Sequence, residues 1–411
     1  MSTSSPRSAA VSQVSDIPSS YAKKALFASA IGYAMDGFDL LILGFMLGAI
    51  RGELGLSGPQ AGSLFTFTLL GAVTGGILFG ILSDYFGRVR VLTWTILLFA
   101  VFTGLCALSQ GYYDLLAYRT VAGLGLGGEF GIGMALAAEA WPASKRGRVS
   151  AYVGLGWQSG VLVAAFVTPL LLPHIGWRGM FLVGILPAVV AFIVRRTMGE
   201  PEIFVQRHIR EGVPIGLLVK DARTIKVTTG MFILCSVQNF GYYGVMIWLP
   251  SYLNSQFKFP LMQSAVWTAV TIVGMAIGIW LFGIAADRFG RRPVFMFWQI
   301  GAAVMVVVFS RLTTPYALLV GGAVMGFFIN GMLGGLGALM SELYPTKARA
   351  TAQNVLFNLG RGVGGFGPFV VPILAAQYSF PTAIALLAVI YLVELAATAL
   401  LIPERKGLPL E

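Results

Sequence analysis

A short basic loop sequence occurs twice in this chain, and the interval between its copies constrains the fold more than any other feature. Residues 80–88 read Gly-Ile-Leu-Ser-Asp-Tyr-Phe-Gly-Arg, and residues 283–291 read Gly-Ile-Ala-Ala-Asp-Arg-Phe-Gly-Arg, 203 positions later. The same offset carries Glu139-Ala140-Trp141-Pro142 onto Glu342-Leu343-Tyr344-Pro345, and Arg146 onto Arg349. A constant offset over separate motifs marks a duplicated half of about two hundred residues. The chain therefore folds as two related halves.

Each half is built for lipid. Apolar residues make up 57% of the chain and charged residues 11%, against roughly 25% charged in a soluble domain. Stretches of about twenty apolar residues, long enough as helix to cross a hydrocarbon core of about 30 Å, follow one another almost throughout. Twelve spans are expected, near 25–50, 60–83, 89–108, 113–140, 149–172, 178–195, 226–252, 263–286, 293–311, 315–341, 350–376 and 380–402. The fold class is an all-α polytopic membrane protein with two pseudo-symmetric six-helix halves. Its divisions are a tail over 1–24, the first half over 25–195, a linker over 196–225, the second half over 226–402 and a tail over 403–411.

The net charge of +11 follows membrane topology. With the N-terminus in the cytoplasm, 22 basic residues fall in inside segments, while Arg51, Arg178, Lys258 and Arg311 fall outside. That asymmetry is a positive-inside signature, so both termini are expected in the cytoplasm and nucleic acid is not an expected partner. Cys106 and Cys235 lie in apolar spans of different halves and read as small core hydrophobes. No cofactor and no metal site is expected. Gly123-Leu-Gly-Leu-Gly-Gly imitates a dinucleotide fingerprint, but inside an apolar helix such residues serve close packing. No apolar segment with a cleavage site precedes the first span, so no signal peptide is expected.

The doubled Gly-x-x-x-Asp-x-x-Gly-Arg loop, the Arg119-Thr-Val-Ala-Gly-Leu-Gly-Leu-Gly-Gly run and the twelve spans together resemble the major facilitator superfamily. Asp36-Gly37-Phe38-Asp39 in the first span is similar to the signature of its aromatic-acid/proton symporters. Glu129 departs from that subfamily and looks more like the proton-linked transporters of sialic acid, monocarboxylates and other metabolites. The resemblance implies alternating access between the halves, with the first and eleventh spans bordering a central cavity.

Charges inside spans are the sharpest clues to chemistry, because an unpaired one is costly in lipid. Asp36 and Asp39 lie three residues apart, hence near one face of a helix. Two carboxylates that close repel as anions, which favours a proton on one of them. Asp36, Asp39 and Glu129 are the proton-coupling candidates, with Asp36 first. Arg361 lies eleven residues into its span, as Asp36 does, about 16 Å deep by helix rise. Its guanidinium is either an anion clamp or one side of a structural ion pair. Arg119 either draws anions inward or pairs with Asp114. Tyr33, Trp157, Gln158, Gln238, Asn239, Tyr242, Tyr243, Asn330, Asn354, Phe357 and Asn358 are candidates for the substrate-binding layer.

At the loop motifs, Gly87 and Gly290 suit a tight turn, while Asp84 and Asp287 can meet an arginine or a helix N-terminus. The gating candidates group as Arg88 with Glu139 and Arg148 in one half, and Arg291 with Glu342 and Arg349 in the other. The plainer alternative is that these charges only fix topology. Glu394, in the last span, has no assigned role. Together these readings point to a proton-coupled symporter importing a small organic anion across the cell membrane, expected to be monomeric. Its rival is a proton-coupled exporter of organic cations or drugs. An intramembrane enzyme or sensor is disfavoured, since His174 and His208 fall in loops and no nucleophile motif or signalling domain occurs.

Overall fold

The computed structural model describes residues 20–56, 58–186, 189, 192, 193, 196, 199, 200, 214–246, 249, 253, 258 and 261–405. The N-terminal tail to residue 19, the middle of the linker (201–213) and the tail from 406 lie outside these residues, as does much of the sixth span. Among the described residues there is no strand.

The first half contains α1 (Ser20–Leu54), α2 (Gly58–Phe86), α3 (Arg88–Cys106), α4 (Tyr112–Gly127), α5 (Glu129–Ala140) and α6 (Arg146–Val183). The second contains α7 (Ala222–Met246), α8 (Leu261–Phe289), α9 (Arg291–Ser310), α10 (Pro315–Gly331), α11 (Leu333–Leu343), α12 (Arg349–Gly364), α13 (Gly367–Gln377) and α14 (Phe380–Leu401). Helices α4 and α5 form one span divided at Gly128, and α10 and α11 one span divided at Met332. Gly176, at φ 63° and ψ 177°, turns the chain inside α6 between the fifth and sixth spans.

Nine helical stretches among the described residues are long and apolar enough to cross a membrane. The expected spans missing from that set are the sixth, which is only partly described, the seventh and the eleventh. The eleventh is broken after Gly364 into helices of 16 and 11 residues, and both it and the seventh carry buried polar residues. Helix α7 carries Gln238 and Asn239, and α12 carries Gln353, Asn354, Asn358 and Arg361, all buried. Helices that wall a polar interior keep their polar residues away from lipid and so read as less apolar.

Glycine sets the spacing of the helix pairs, and here too the 203-residue interval recurs. A Cβ on Gly71 or Gly75 of α2 would strike the backbone of Thr120 or Leu124 in α4, and one on Gly123 would strike Thr68. In the second half, Gly274 and Gly278 of α8 lie against Ala323 and Phe327, and Gly326 against Thr271. Without water between them, membrane helices associate through such close backbone approach. Gly75→Leu is accordingly expected to cost about 1–3 kcal/mol through overpacking, read as a lowered Tm of the purified protein; an unchanged Tm would refute this role.

The halves meet along two seams, α2 against α12 and α6 against α8. Gly76 and Gly80 of α2 leave room for the side chains of Asn358 and Asn354, while Gly147 and Gly283 bring α6 and α8 together. Both seams run toward the end of the bundle that carries the Gly87 and Gly290 loops, hereafter the motif end.

Candidate functional site

The central site grows from residues on five spans. Tyr33 of α1, Trp157 of α6, Tyr242 and Tyr243 of α7, Phe357 and Arg361 of α12, and Asn330 of α10 line a small cavity together with Gln238, Asn239 and Leu333. Its volume is about 20 Å³, room for about one water molecule, so a larger cargo requires the halves to move apart. Its walls are aromatic. Tyr33 packs on Phe130 and Trp157 at centroid distances of 5.0 and 5.2 Å, and Phe130 stacks on Phe357 at 3.7 Å. Trp157 Nε1 donates to the Tyr242 hydroxyl at 3.1 Å, and Gln238 Nε2 donates to Asn330 Oδ1 at 2.6 Å.

Arg361 is the positive charge of this cavity. It is 1% exposed, and its Nη2 donates to Asp36 Oδ2 at 2.9 Å, across the boundary between the halves. Its Nε donates to the Tyr243 hydroxyl at 3.2 Å. The guanidinium carbon lies 5.1 Å from the Trp157 ring centre and 6.0 Å from that of Phe357, a cation–π setting that holds its plane while leaving polar edges for an anion. Asp36 is fully buried, and its Oδ1 accepts no hydrogen bond.

Several residues expected in this layer lie elsewhere. Asp39 is held by Arg119 through two bonds, Nη1 to Oδ1 at 2.9 Å and Nη2 to Oδ2 at 2.6 Å, so Arg119 pairs with neither Asp114 nor the cavity. Asp114 instead caps the start of α4 by accepting from the amides of Gln110 and Gly111. Helix geometry explains the separation of the two aspartates: three residues turn a side chain by less than a full turn, so Asp36 faces the other half while Asp39 faces α4. Glu129 accepts from Thr95 Oγ1 at 2.8 Å, inside the first half. Gln158 is buried, with neither of its amide atoms hydrogen-bonded, and is not part of the cavity wall. Asn354 and Asn358 belong to the α2–α12 seam; Asn358 Nδ2 donates to the Gly127 carbonyl at 3.0 Å. Glu394 is buried in α14, also away from the cavity wall.

The charges of the motif end form two networks. Gly87 and Gly290 sit at φ 110° and 103°, conformations that glycine alone adopts without strain, and each releases the chain into a new helix. Arg88 contacts Asp84 at 2.7 Å and Glu139 at 3.2 Å and donates to the Thr346 carbonyl at 2.9 Å. Arg291 contacts Asp287 at 2.9 Å and Glu342 at 2.8 Å. Two arginines depart from the expected grouping. Arg349 reaches Glu139 of the first half at 2.9 Å, and Arg148 reaches Asp287 of the second at 3.4 Å. They cross because α6 and α12 begin beneath the opposite half's loop.

The loop carboxylates cross as well. Asp84 Oδ2 accepts from the amide and hydroxyl of Thr351, at the start of α12. Asp287 accepts from the amides of Gly147 and Arg148, at the start of α6, at 2.8 and 3.0 Å. Carboxylates at helix N-termini satisfy amides that lack an intrahelical partner and meet the positive end of the macrodipole. Glu139→Gln removes the charge from a carboxylate whose Oε1 accepts from both Arg88 and Arg349, so a cost of about 1–3 kcal/mol is expected. A lowered Tm together with faster alkylation of a cysteine introduced at the motif end would support this; wild-type values for both would refute it.

Two functional carboxylates lie outside the expected set. Glu200 accepts from the amides of Val89 and Arg90 at the start of α3, and Glu404 from those of Arg291 and Arg292 at the start of α9. Their interval of 204 residues, one beyond the repeat, and the proline beside each are the signals that could have found them. At the far end, Arg178 and Trp177 both donate to Glu53, and these bonds, that from Arg178 foremost, hold its carboxyl below the ordinary value.

A sequence model described as Major Facilitator Superfamily matches residues 29–281 and 263–410. A Haemophilus influenzae protein provisionally described as a metabolite transport protein is 63% identical over 401 residues, covering 95% of this chain and 98% of its own. The cis,cis-muconate transport protein of Acinetobacter baylyi is 31% identical, covering 93% of this chain and 95% of its own. The sialic acid transporter NanX of Escherichia coli is 26% identical over 92% of each chain. Among solved structures, the proton:xylose symporter XylE superposes with a TM-score of 0.82 at 18% identity, over 96% of this chain and 98% of that one, a likeness of fold. With its duplicated halves, central polar cavity and paired loop motifs, the chain belongs to the Major Facilitator Superfamily and is a multi-pass membrane transporter, not an enzyme.

Proposed function

We propose that this protein is a proton-coupled symporter that imports a small organic anion by alternating access, with Asp36 and Arg361 as its coupling pair. The observation that carries this reading is the hydrogen bond between them, 2.9 Å long and made across the boundary of the halves, by which Arg361 of the aromatic-walled cavity holds Asp36 just behind the wall. Arg361 has two alternative anionic partners, the Asp36 carboxylate and the carboxylate of a substrate. When the substrate takes the guanidinium, an ionised Asp36 would remain buried beside it. Stripping one partner from a buried ion pair costs about 3–5 kcal/mol, and uptake of a proton by Asp36 removes that cost. Anion and proton then bind together, and the loaded site is electrically balanced while the halves rock.

The relatives support an organic-acid cargo, since their names include transport of muconate and sialic acid. The rings of Tyr33, Trp157, Tyr242 and Phe357 favour a flat, unsaturated or aromatic acid, which can stack while its carboxylate meets Arg361. Export of cations is less compatible with this site, because Asp36 is engaged by Arg361, Asp39 by Arg119 and Glu129 by Thr95. The excess of basic residues at the motif end supports cytoplasmic termini in the cell membrane, and a cavity complete within one chain supports action as a monomer. The test is uptake of radiolabelled cis,cis-muconate, benzoate and sialic acid into proteoliposomes under an inward proton gradient. Accumulation of at least one acid that collapses with an uncoupler is expected; uptake of every acid indifferent to the gradient would overturn the proposal.

A further inference from the structure

A second cavity, larger than the central one, lies elsewhere among the described residues. At the motif end of the second half, a cleft of about 360 Å³ lies between the 3₁₀ turn Pro214–Leu218, the start of α7, the turn after α11 and the chain beyond α14. That volume is within the range of about 300–1,000 Å³ typical of small-molecule sites, whereas the central cavity holds about 20 Å³. Four cationic side chains line the cleft, Lys220, Arg223, Lys347 and Arg405, against two carboxylates, Asp221 and Glu342.

Both carboxylates are already engaged. Glu342 Oε1 holds Arg291 at 2.8 Å. Asp221 Oδ1 accepts from the Thr224 amide at 2.8 Å and caps α7; that bond keeps the carboxyl below its ordinary value, and Lys220 lies 3.8 Å away. Arg405 is anchored by donating Nη1 to the Glu342 carbonyl at 3.0 Å, which fixes its guanidinium at the rim. Leu217, Val227, Tyr344 and Pro403 provide an apolar floor. Positive walls, a fixed guanidinium and an apolar floor at the end of the spans suit a phosphate-bearing group whose remainder is apolar or compact.

We propose that this cleft binds a phosphate-bearing anion, either the headgroup of an anionic membrane lipid or a soluble phosphate. Arginine and lysine side chains at the rim engage the phosphate oxygens. Arg405, which engages the bound group, also donates to the Glu342 carbonyl, so occupancy steadies the turn after α11 next to the network that ties Arg291. The site is separate from the central cavity and shares no lining residue with it.

The test uses the full-length purified protein in a neutral detergent and reads Tm. The ligands are dioctanoyl-phosphatidylglycerol, dioctanoyl-phosphatidylcholine, sodium phosphate and, at matched ionic strength, sodium chloride. A rise of several degrees with phosphatidylglycerol but not with phosphate, phosphatidylcholine or chloride assigns the site to an anionic lipid headgroup. A rise with phosphate beyond that with chloride assigns it to a soluble phosphate. In the double variant Arg223→Gln/Lys347→Gln, confirmed as folded by monodisperse elution and a wild-type Tm without ligand, the midpoint concentration for the shift is expected to rise at least about tenfold. If that variant is misfolded, Lys220→Gln alone, on an exposed side chain, serves with an expected shift of a few-fold. No rise with phosphatidylglycerol or phosphate beyond that with phosphatidylcholine and chloride, or an equal response in folded wild type and variant, overturns the proposal.

Discussion

Arg361→Gln is expected to abolish accumulation of the organic anion and to weaken its binding by between about 30-fold and several thousand-fold. The size follows from what the guanidinium does. Truncating one member of a buried, hydrogen-bonded charge pair costs about 2–5 kcal/mol, and each 1.4 kcal/mol is about tenfold in affinity. Arg361 is 1% exposed, bonded to Asp36 and Tyr243, and flanked by the faces of Trp157 and Phe357. Arg361→Lys keeps the charge but loses the planar fork, so it should fall between wild type and the glutamine variant. The double variant Arg361→Gln/Asp36→Asn separates a clamp from a purely structural pair. It should regain most of the lost Tm, since no buried carboxylate is left behind, yet remain unable to bind the anion. Recovery of both stability and transport would mean that the arginine only ties the halves together.

Asp36→Asn should uncouple the protein. With no carboxylate to accept a proton, substrate exchange across a membrane at equal pH should persist, while uphill accumulation driven by a proton gradient should vanish. The sign of the pH effect follows from linkage. If one proton is taken up with each anion, binding strengthens as pH falls, by about tenfold per unit over the range in which the empty site is deprotonated and the loaded site protonated. In the asparagine variant that slope should disappear, with affinity fixed near the wild-type low-pH value because Arg361 has lost its resident competitor. Calorimetric binding of a transported acid at several pH values measures this directly. A variant that retains both the slope and gradient-driven accumulation would transfer the coupling role away from Asp36.

Much of the architecture can be read from residue order alone, because span length, charge asymmetry and an internal repeat are one-dimensional signals. Counting residues from the ends of two spans places Asp36 and Arg361 at one depth, and the two are in contact. What residue order does not carry is rotation about each helix axis. Asp36 and Asp39 read as a pair, yet one faces α12 and the other α4. Depth likewise puts Gln158 in the substrate layer, and only packing reveals that it lies outside the cavity wall.

The partnerships of the motif end were hidden for another reason. A repeat relates each residue to its counterpart, so it suggests the same bonds within each half, whereas Arg148, Arg349, Asp84 and Asp287 all reach across. The capping role of Glu200 and Glu404 escaped because each lies at the margin of its half, in a segment read as linker or tail, one position out of phase with the repeat.

The exchange of Asp84 and Asp287 between the halves makes the motif end behave as a reciprocal handshake. Each half supplies the grip that the other's helix needs, with one clasp near each seam. If either carboxylate lets go, an amide terminus in the opposite half is left bare, and the remaining clasp alone must hold the two bodies together. Opening should then proceed as one concerted release, so that weakening either clasp loosens both and partly ajar forms stay sparsely populated.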